Sequence, residues 1–284
     1  MSKPVITTES RVCKNPKCRK EYVAEVVHLL GVRIVRGSGY CPDCVQLIPK
    51  VPEEVKETTP ERIARGRREM RESSGIPPKF MAEDFSTFEQ DSQPKAFKKC
   101  LEFAESFPLV EPQGKQSLVL YSEHSWGVGK THLACAIGHR ILDRWKGERI
   151  GRRLVLFVSE PDLYVRIQST YGSFSRDERP NHENESDIIR QLTGASLLII
   201  DDVGKRRVQD LRFVQRIMFS IIDGRYKAML PLVLTANLSP DGLKSYLGGG
   251  EDEASFDRLT EMCGGRSGRG VKFFQLEGES YRRK

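Results

Sequence analysis

The sequence predicts an α/β domain built on a parallel sheet, preceded by a small cysteine-rich module. From Gly75 onward, short and wholly apolar runs alternate with stretches of helical periodicity, the pattern of strands buried on both faces between covering helices. One run leads through a glycine-containing loop straight into Lys130 and Thr131, and another ends in two carboxylates, Asp201 and Asp202. Four of the seven cysteines fall within residues 1–47, in two closely spaced pairs.

In residues 1–47, Cys13 and Cys18 make the first pair and Cys41 and Cys44 the second. The segment between them, KEYVAEVVHLLGVRIVRG, alternates as a β-hairpin does. Four thiols brought together by two turns suit the closed tetrahedral Cys₄ coordination of a structural Zn²⁺, giving a zinc-ribbon-like module. So short a segment has little core of its own, and zinc can supply on the order of 10 kcal/mol. His28, inside the hairpin, is the alternative ligand.

Residues 48–76 are rich in Pro, Glu and Arg and read as a linker. Within it, Thr59-Pro60-Glu61 is a helix start, predicting a short, exposed, arginine-rich helix over 60–72. Residues 77–284 form the globular domain. Its expected strands are 117–121 (SLVLY), 154–158 (LVLFV), 197–200 (LLII), 231–235 (PLVLT) and a short final one at 271–276. Helices are expected at 94–107, 130–145, 160–171, 184–193, 210–226 and 239–247. The second of these puts Leu133, Ala134, Ile137, Ile141 and Trp145 on one stripe, as burial against a sheet requires.

Composition narrows the class. The 284 residues, 38% hydrophobic and 30% charged, suffice for one sizeable folded domain and a small second module. No apolar run approaches a membrane span, and the opening MSKPVITTESR lacks the apolar core of a secretory signal. A cytoplasmic protein is therefore expected, with no membrane partner. A reducing compartment disfavours disulfides, so clustered cysteines point to metal or redox chemistry, while the isolated Cys100, Cys135 and Cys263 read as packed thiols. A net charge of +7 favours polyanionic partners.

The run SLVLY, the loop SEHSWGVG and a helix opening at Lys130 make a P-loop arrangement. Backbone N–H groups of Gly127, Val128 and Gly129 and of the helix N-terminus can converge on phosphate oxygens. Lys130 then neutralises the β- and γ-phosphates of ATP, the Thr131 hydroxyl coordinates Mg²⁺, and His132 follows in the first helical turn. His124 stands where the usual G-x-x-x-x-G-K-[ST] pattern has glycine. LLIIDD places its carboxylates at the C-terminal edge of a buried strand, where parallel sheets bind ligands. Asp201 suits Mg²⁺ and Asp202 suits polarising an attacking water.

The strand PLVLT runs into Asn237, whose amide reaches the γ-phosphate if that strand neighbours LLII. Arg258, in SFDRL, offers a guanidinium that can spread positive charge over a transferring phosphoryl group. For nucleic acid, Tyr164, Arg166, Tyr171, Phe174 and Arg176 interleave rings with cations, and Arg65, Arg67, Arg68 and Arg71 are a second candidate group.

SGIPPKFMAEDFSTFE, GVGKTHLA, LLIIDDVG, IIDGRYKAMLPLVLTANLS, SFDRL and the closing GESYR follow one another in that order, over roughly residues 75–284. This set resembles the bacterial replicative helicase loaders of the DnaC/DnaI type, AAA+ ATPases related to the IstB transposition helpers. The resemblance implies Walker A roles for Lys130 and Thr131 and Walker B roles for Asp201 and Asp202. It likewise implies sensor 1 for Asn237, an arginine finger acting on a neighbouring subunit for Arg258, and sensor 2 for Arg282. A zinc-bearing N-terminal module is similar to that of DnaI-like loaders, where it contacts the helicase. The implied activity is an ATPase, slow without partners, that loads a replicative helicase onto single-stranded DNA and self-associates through its ATPase domain. An IstB-like helper acting on duplex DNA, or a non-hydrolysing adaptor working through the zinc module, are the alternatives.

Overall fold

The computed structural model describes residues 5–15, 17–29, 32–35, 39, 41–47, 59–123, 125–171, 183–204, 210–248, 253–265 and 272–281. By contacts it divides into two units, Met1–Thr58 and Thr59–Lys284.

The smaller unit holds β1 (Val5–Val12), β2 (Glu21–Leu29), β3 (Val32–Val35) and a short helix α1 (Pro42–Leu47). The strands form one antiparallel sheet in the order β1-β2-β3. Strands β2 and β3 are the hairpin expected from the alternation. Strand β1 was not expected: VITTESRV pairs along its whole length with β2, Val5 opposite His28 and Val12 opposite Glu21. Only its β-branched residues hint locally at a strand, and the pairing partner decides it.

The larger unit opens with α2 (Thr59–Ser73), followed by α3 (Pro94–Glu105), β4 (Leu118–Tyr121), α4 (Lys130–Arg144) and β5 (Val155–Ser159). Next come α5 (Glu160–Ser169), α6 (Glu185–Gly194), β6 (Leu197–Val203), α7 (Leu211–Lys227) and β7 (Leu232–Ala236). Helices α8 (Pro240–Gly248) and α9 (Ala254–Met262) and strand β8 (Phe273–Gln275) complete it. The strands lie parallel in the order β5-β6-β7-β4-β8, so β7 does neighbour LLII.

Two-residue alternation along the strands builds two cores. Leu118, Leu120, Val155, Phe157, Leu197, Ile199 and Val233 pack on the face covered by α3 and α4. Val119, Leu156, Leu198, Ile200, Leu232 and Leu234 pack on the other, with α5 to α9. With both faces buried, β4, β6 and β7 read as largely continuous apolar runs.

Helix α2 differs from an exposed linker helix. It buries no residue completely, yet Arg67 Nε donates to the Trp145 carbonyl at 2.8 Å and Arg71 pairs with Asp143 at 2.5 Å. Gly66 lies so near the Trp145 ring that a Cβ would stand 2.5 Å from it. The chain then follows the edge of β5, where Phe157 N–H donates to the Ser74 carbonyl at 2.7 Å. That segment covers an edge strand that would otherwise be open. Residues 48–58 of the expected linker lie outside the described residues.

Arg225 of α7 is fully buried and its guanidinium donates to the carbonyls of Leu192 (2.8 Å), Ala195 (2.9 Å), Ser196 (3.3 Å) and Pro231. One cation thus ties the end of α6 to the starts of β6 and β7, although burial draws its guanidinium down to about 9. Replacing it with Met should leave these carbonyls unpaired and cost about 3 kcal/mol or more in a denaturant melt. Lys, lacking the planar fork, should recover little of that loss.

Candidate functional site

The loop between β4 and α4 curls through Gly127 and Gly129, whose φ angles are 76° and 94°. At Gly129 a Cβ would come within 2.5 Å of the Phe88 ring, so glycine is required by conformation and by space. Val128 is buried and pins the loop to the core. No side-chain hydrogen bond caps the N-terminus of α4, and the N-terminal end of a helix attracts an anion. Lys130 is only 6% exposed and its ammonium turns back onto the loop, to Ser122 Oγ and, at 3.5 Å, the Ser125 carbonyl. His124 lies outside the described residues.

The end of β6 supplies the carboxylates. Its register against β7 shifts between Ile200 and Val203, and Asp202 takes a φ of 61°. A non-glycine residue in that region costs about 1 kcal/mol or more, so something must hold it. Thr235 of β7 does: its hydroxyl donates to Asp201 Oδ1 at 2.6 Å and accepts the Asp202 N–H at 2.9 Å. Asp201 is buried and also accepts from the Thr131 hydroxyl at 3.0 and 3.1 Å. Asp202 is within 3.5 Å of the Asn237 amide nitrogen.

Beside them lies a cavity of about 290 Å³ whose walls include Phe80, Phe88, Trp126 and Tyr281 and whose polar groups include Lys130, Thr131, Asp202 and Asn237. His132 also lines it and fixes the incoming segment, with Nδ1 2.5 Å from a Glu83 oxygen and Nε2 2.8 Å from the Asp84 carbonyl. On the opposite side, Tyr281 N–H donates to the Gly127 carbonyl at 3.0 Å. The apolar walls and convergent polar groups fit a nucleotide. The donor set, a lysine with a hydroxyl and a buried carboxylate in mutual contact, fits a triphosphate with a hard divalent cation.

Sequence reasoning missed Ser122, Thr235 and Glu160. Glu160 is 1% exposed. It accepts from Tyr164 Oη at 2.8 Å, Gly204 N–H at 2.8 Å and Tyr246 Oη at 3.1 Å. Burial raises the proton affinity of its carboxyl, as does the charge of Asp202, and the three donors oppose them. The signal was available, since a carboxylate follows LVLFVS at the same sheet edge that singled out Asp201.

Other expected residues lie away from the cavity or outside the described ones. Arg258 of α9 stacks over Phe219 and Tyr226, 5.1 and 5.8 Å from the ring centres, with Nε 3.3 Å from Asp223 Oδ1. Arg282 lies outside the described residues, as do Phe174 and Arg176. The ladder of rings and cations is not formed by its described members: Tyr164 belongs to the core, because that face of α5 packs on the sheet. Arg166 is matched by Glu183 at 2.5 Å and Gln191 at 2.9 Å, and Tyr171 bonds Glu185 and Arg216. In α2, Arg65 pairs with Glu69 at 3.0 Å, Arg67 and Arg71 hold α4 and the turn after it, and Arg68 is exposed.

In the smaller unit the sulfurs of Cys13, Cys18, Cys41 and Cys44 lie within 4.8 Å of one another. The Cys18 and Cys41 sulfurs are 3.7 Å apart, near the ~3.8 Å edge of a tetrahedron with Zn–S of about 2.3 Å. Two N–H groups already face sulfur: Cys41 N–H to Cys13 and Asn15 Nδ2 to Cys44, both at 3.3 Å. Burial works against ionising Cys13, yet N–H groups and neighbouring thiols bring it to about 7. Asn15 favours the Cys44 thiolate, but burial and the other three sulfurs push it up to about 12. Such thiols need a cation to ionise together. Cys100, Cys135 and Cys263 are buried in the larger unit.

A parallel sheet bearing a phosphate loop after one strand and paired carboxylates after another defines a P-loop α/β nucleotide-binding protein of the AAA+ class. The family model described as IstB-like ATP binding protein matches residues 55–284, and the chain belongs to that family. A relative in Escherichia coli (strain K12), the uncharacterized protein YdaV, is 29% identical over 140 residues. That match spans 49% of this chain and 48% of YdaV. Among solved structures, a putative primosome component from Streptococcus pyogenes serotype M3 superposes with a TM-score of 0.52 at 19% identity, over 75% of this chain and 97% of that one. DnaI gives 0.52 at 19% over 74% and 98%, and the DnaC helicase loader 0.52 at 22% over 71% and 100%. These likenesses are of fold. Among the described residues no helix is long and apolar enough to cross a membrane.

Proposed function

We propose that the chain is a cytoplasmic, ATP-dependent loader that binds a replicative DNA helicase and helps place it on single-stranded DNA. The observation that carries this reading is the convergence of Lys130, Thr131, Asp201, Asp202 and Asn237 on one sheet edge while Arg258 stands elsewhere. In this reading the backbone from Gly127 to Gly129 and the Lys130 ammonium hold the phosphates. Thr131 and Asp201 hold Mg²⁺, which when bound draws charge from the β- and γ-phosphoryl oxygens. Asp202, aimed into the cavity beside the Asn237 amide, orients the attacking water and takes up its proton. Arg258 serves the site of a neighbouring copy, and Arg282 is assigned the sensor 2 role.

ATP binding then joins copies through the ATPase domain, and hydrolysis loosens them. That is a switch, with slow turnover until helicase and DNA are present. The loader reading over the transposition-helper reading draws on the likeness to DnaI and DnaC and on the four-cysteine unit, which would hold Zn²⁺ and contact the helicase. The alternative is an IstB-like helper acting on duplex DNA, and membership of a family described as IstB-like ATP binding protein is compatible with both.

Phosphate release and fluorescent-nucleotide titration, with and without a replicative helicase and single-stranded DNA, test the reading. Lys130→Ala should abolish nucleotide binding. Arg258→Ala should spare binding and lower hydrolysis by about 10³-fold or more. Equal loss of binding in both variants refutes action in trans, and stimulation by duplex rather than single strands favours the helper. The purified chain should also carry a single Zn²⁺, lost on Cys41→Ser together with the protease resistance of residues 5–47. A metal-free chain with reduced thiols and an intact module would contradict the Cys₄ site.

A further inference from the structure

The reading above leaves unused a buried carboxylate at the end of β5. Glu160 gathers donors from three places: Tyr164 of its own helix, the backbone of Gly204 just past β6, and Tyr246 of α8. Tyr246 and Gly204 share one oxygen, Oε2. A buried anion is costly, and an apolar side chain would pack there with less penalty. The arrangement makes sense where a particular backbone N–H has to be held.

Gly204 is such a place. It follows Asp202 by two residues, and both have positive φ, 61° and 76°. A Cβ on Gly204 would come 2.3 Å from Leu238 Cδ1, so the turn is pressed against the residue after Asn237. Between them, the Val203 carbonyl accepts the Asn237 N–H at 3.2 Å. Thr235 therefore holds the turn at its start and Glu160 holds it at its end. Elsewhere on α8, Lys244 pairs at 2.8 Å with Glu253 at the head of α9. The carboxylate thus links the turn carrying Asp202 to α8.

We infer that Glu160 is a positioning residue for hydrolysis: its carboxylate locks the turn after β6 so that Asp202 stays aimed into the cavity, and ties that turn to α8. The inference rests on the ATPase reading above. Glu160 is not among the residues lining the cavity and acts through the Gly204 N–H. Its loss should therefore separate turnover from binding.

The test uses the full chain with Mg·ATP. Glu160→Gln keeps the size but offers one acceptor oxygen where two are used, and turns an NH₂ group toward a donor. Nucleotide affinity should stay within about twofold of wild type while kcat falls on the order of tenfold or more, the scale of a small misplacement at a reacting centre. Tyr246→Phe, which removes one donor and leaves the carboxylate two, should lower kcat less and in the same direction. It carries the test if a thermal melt shows Glu160→Gln unfolded. Unchanged kcat in a folded variant, or affinity falling in parallel with kcat, overturns the positioning role. A wild type that binds Mg·ATP without hydrolysing it overturns the ATPase reading instead, and the inference with it.

Discussion

The site depends on one hydroxyl bridging an irregular strand end. Consecutive residues of a regular strand face opposite sides of the sheet, so Asp202 should have followed Ile200 into the core under α5 to α9. The register shift between Ile200 and Val203 prevents this. Asp201 turns to Thr131, and Asp202 reaches the cavity. Thr235 makes the irregularity tolerable by bonding the first carboxylate and the N–H of the second residue at once. Without that bridge, a left-handed aspartate and a buried carboxylate would each lose a partner.

The same edge explains why a sheet of this kind binds a phosphate chain. Parallel strands bring the loop before α4, the end of β6 and the end of β7 to one side, because β4 and β6 both flank β7. Lys130 rests on Ser122 within that loop, at a helix N-terminus that no side-chain hydrogen bond caps. The segment before α3 and the segment after β8 then close the flanks, through His132 with Glu83 and through Tyr281 with Gly127.

Much of this was legible in the sequence, and the failures have physical causes. The strands were readable because burial on both faces leaves them wholly apolar, and Asp201 and Asp202 because charge at the end of such a run is conspicuous. Thr235 was not, since its role arises only when β7 lies beside a shifted β6. Glu160 was passed over although it obeys the same edge rule, because a carboxylate at the start of a helix also has an ordinary explanation in the helix dipole. Tyr164 and Arg166 suggested a nucleic-acid surface, but which face of α5 packs inward is set by the sheet, and that packing buries the ring. Strand β1 carries little apolar signal and is fixed by its pairing with β2. Helix α2 was legible as a helix, while its anchoring to Trp145 and Asp143 depends on residues more than seventy positions away.

The most direct measurement is calorimetric titration of the full chain with ATP, in the presence of Mg²⁺ and again in excess chelator. If Thr131 and Asp201 form the cation half of a triphosphate site, saturable heat should appear with Mg²⁺ and weaken sharply without it. No heat at millimolar nucleotide, or the same isotherm in both conditions, would contradict the account.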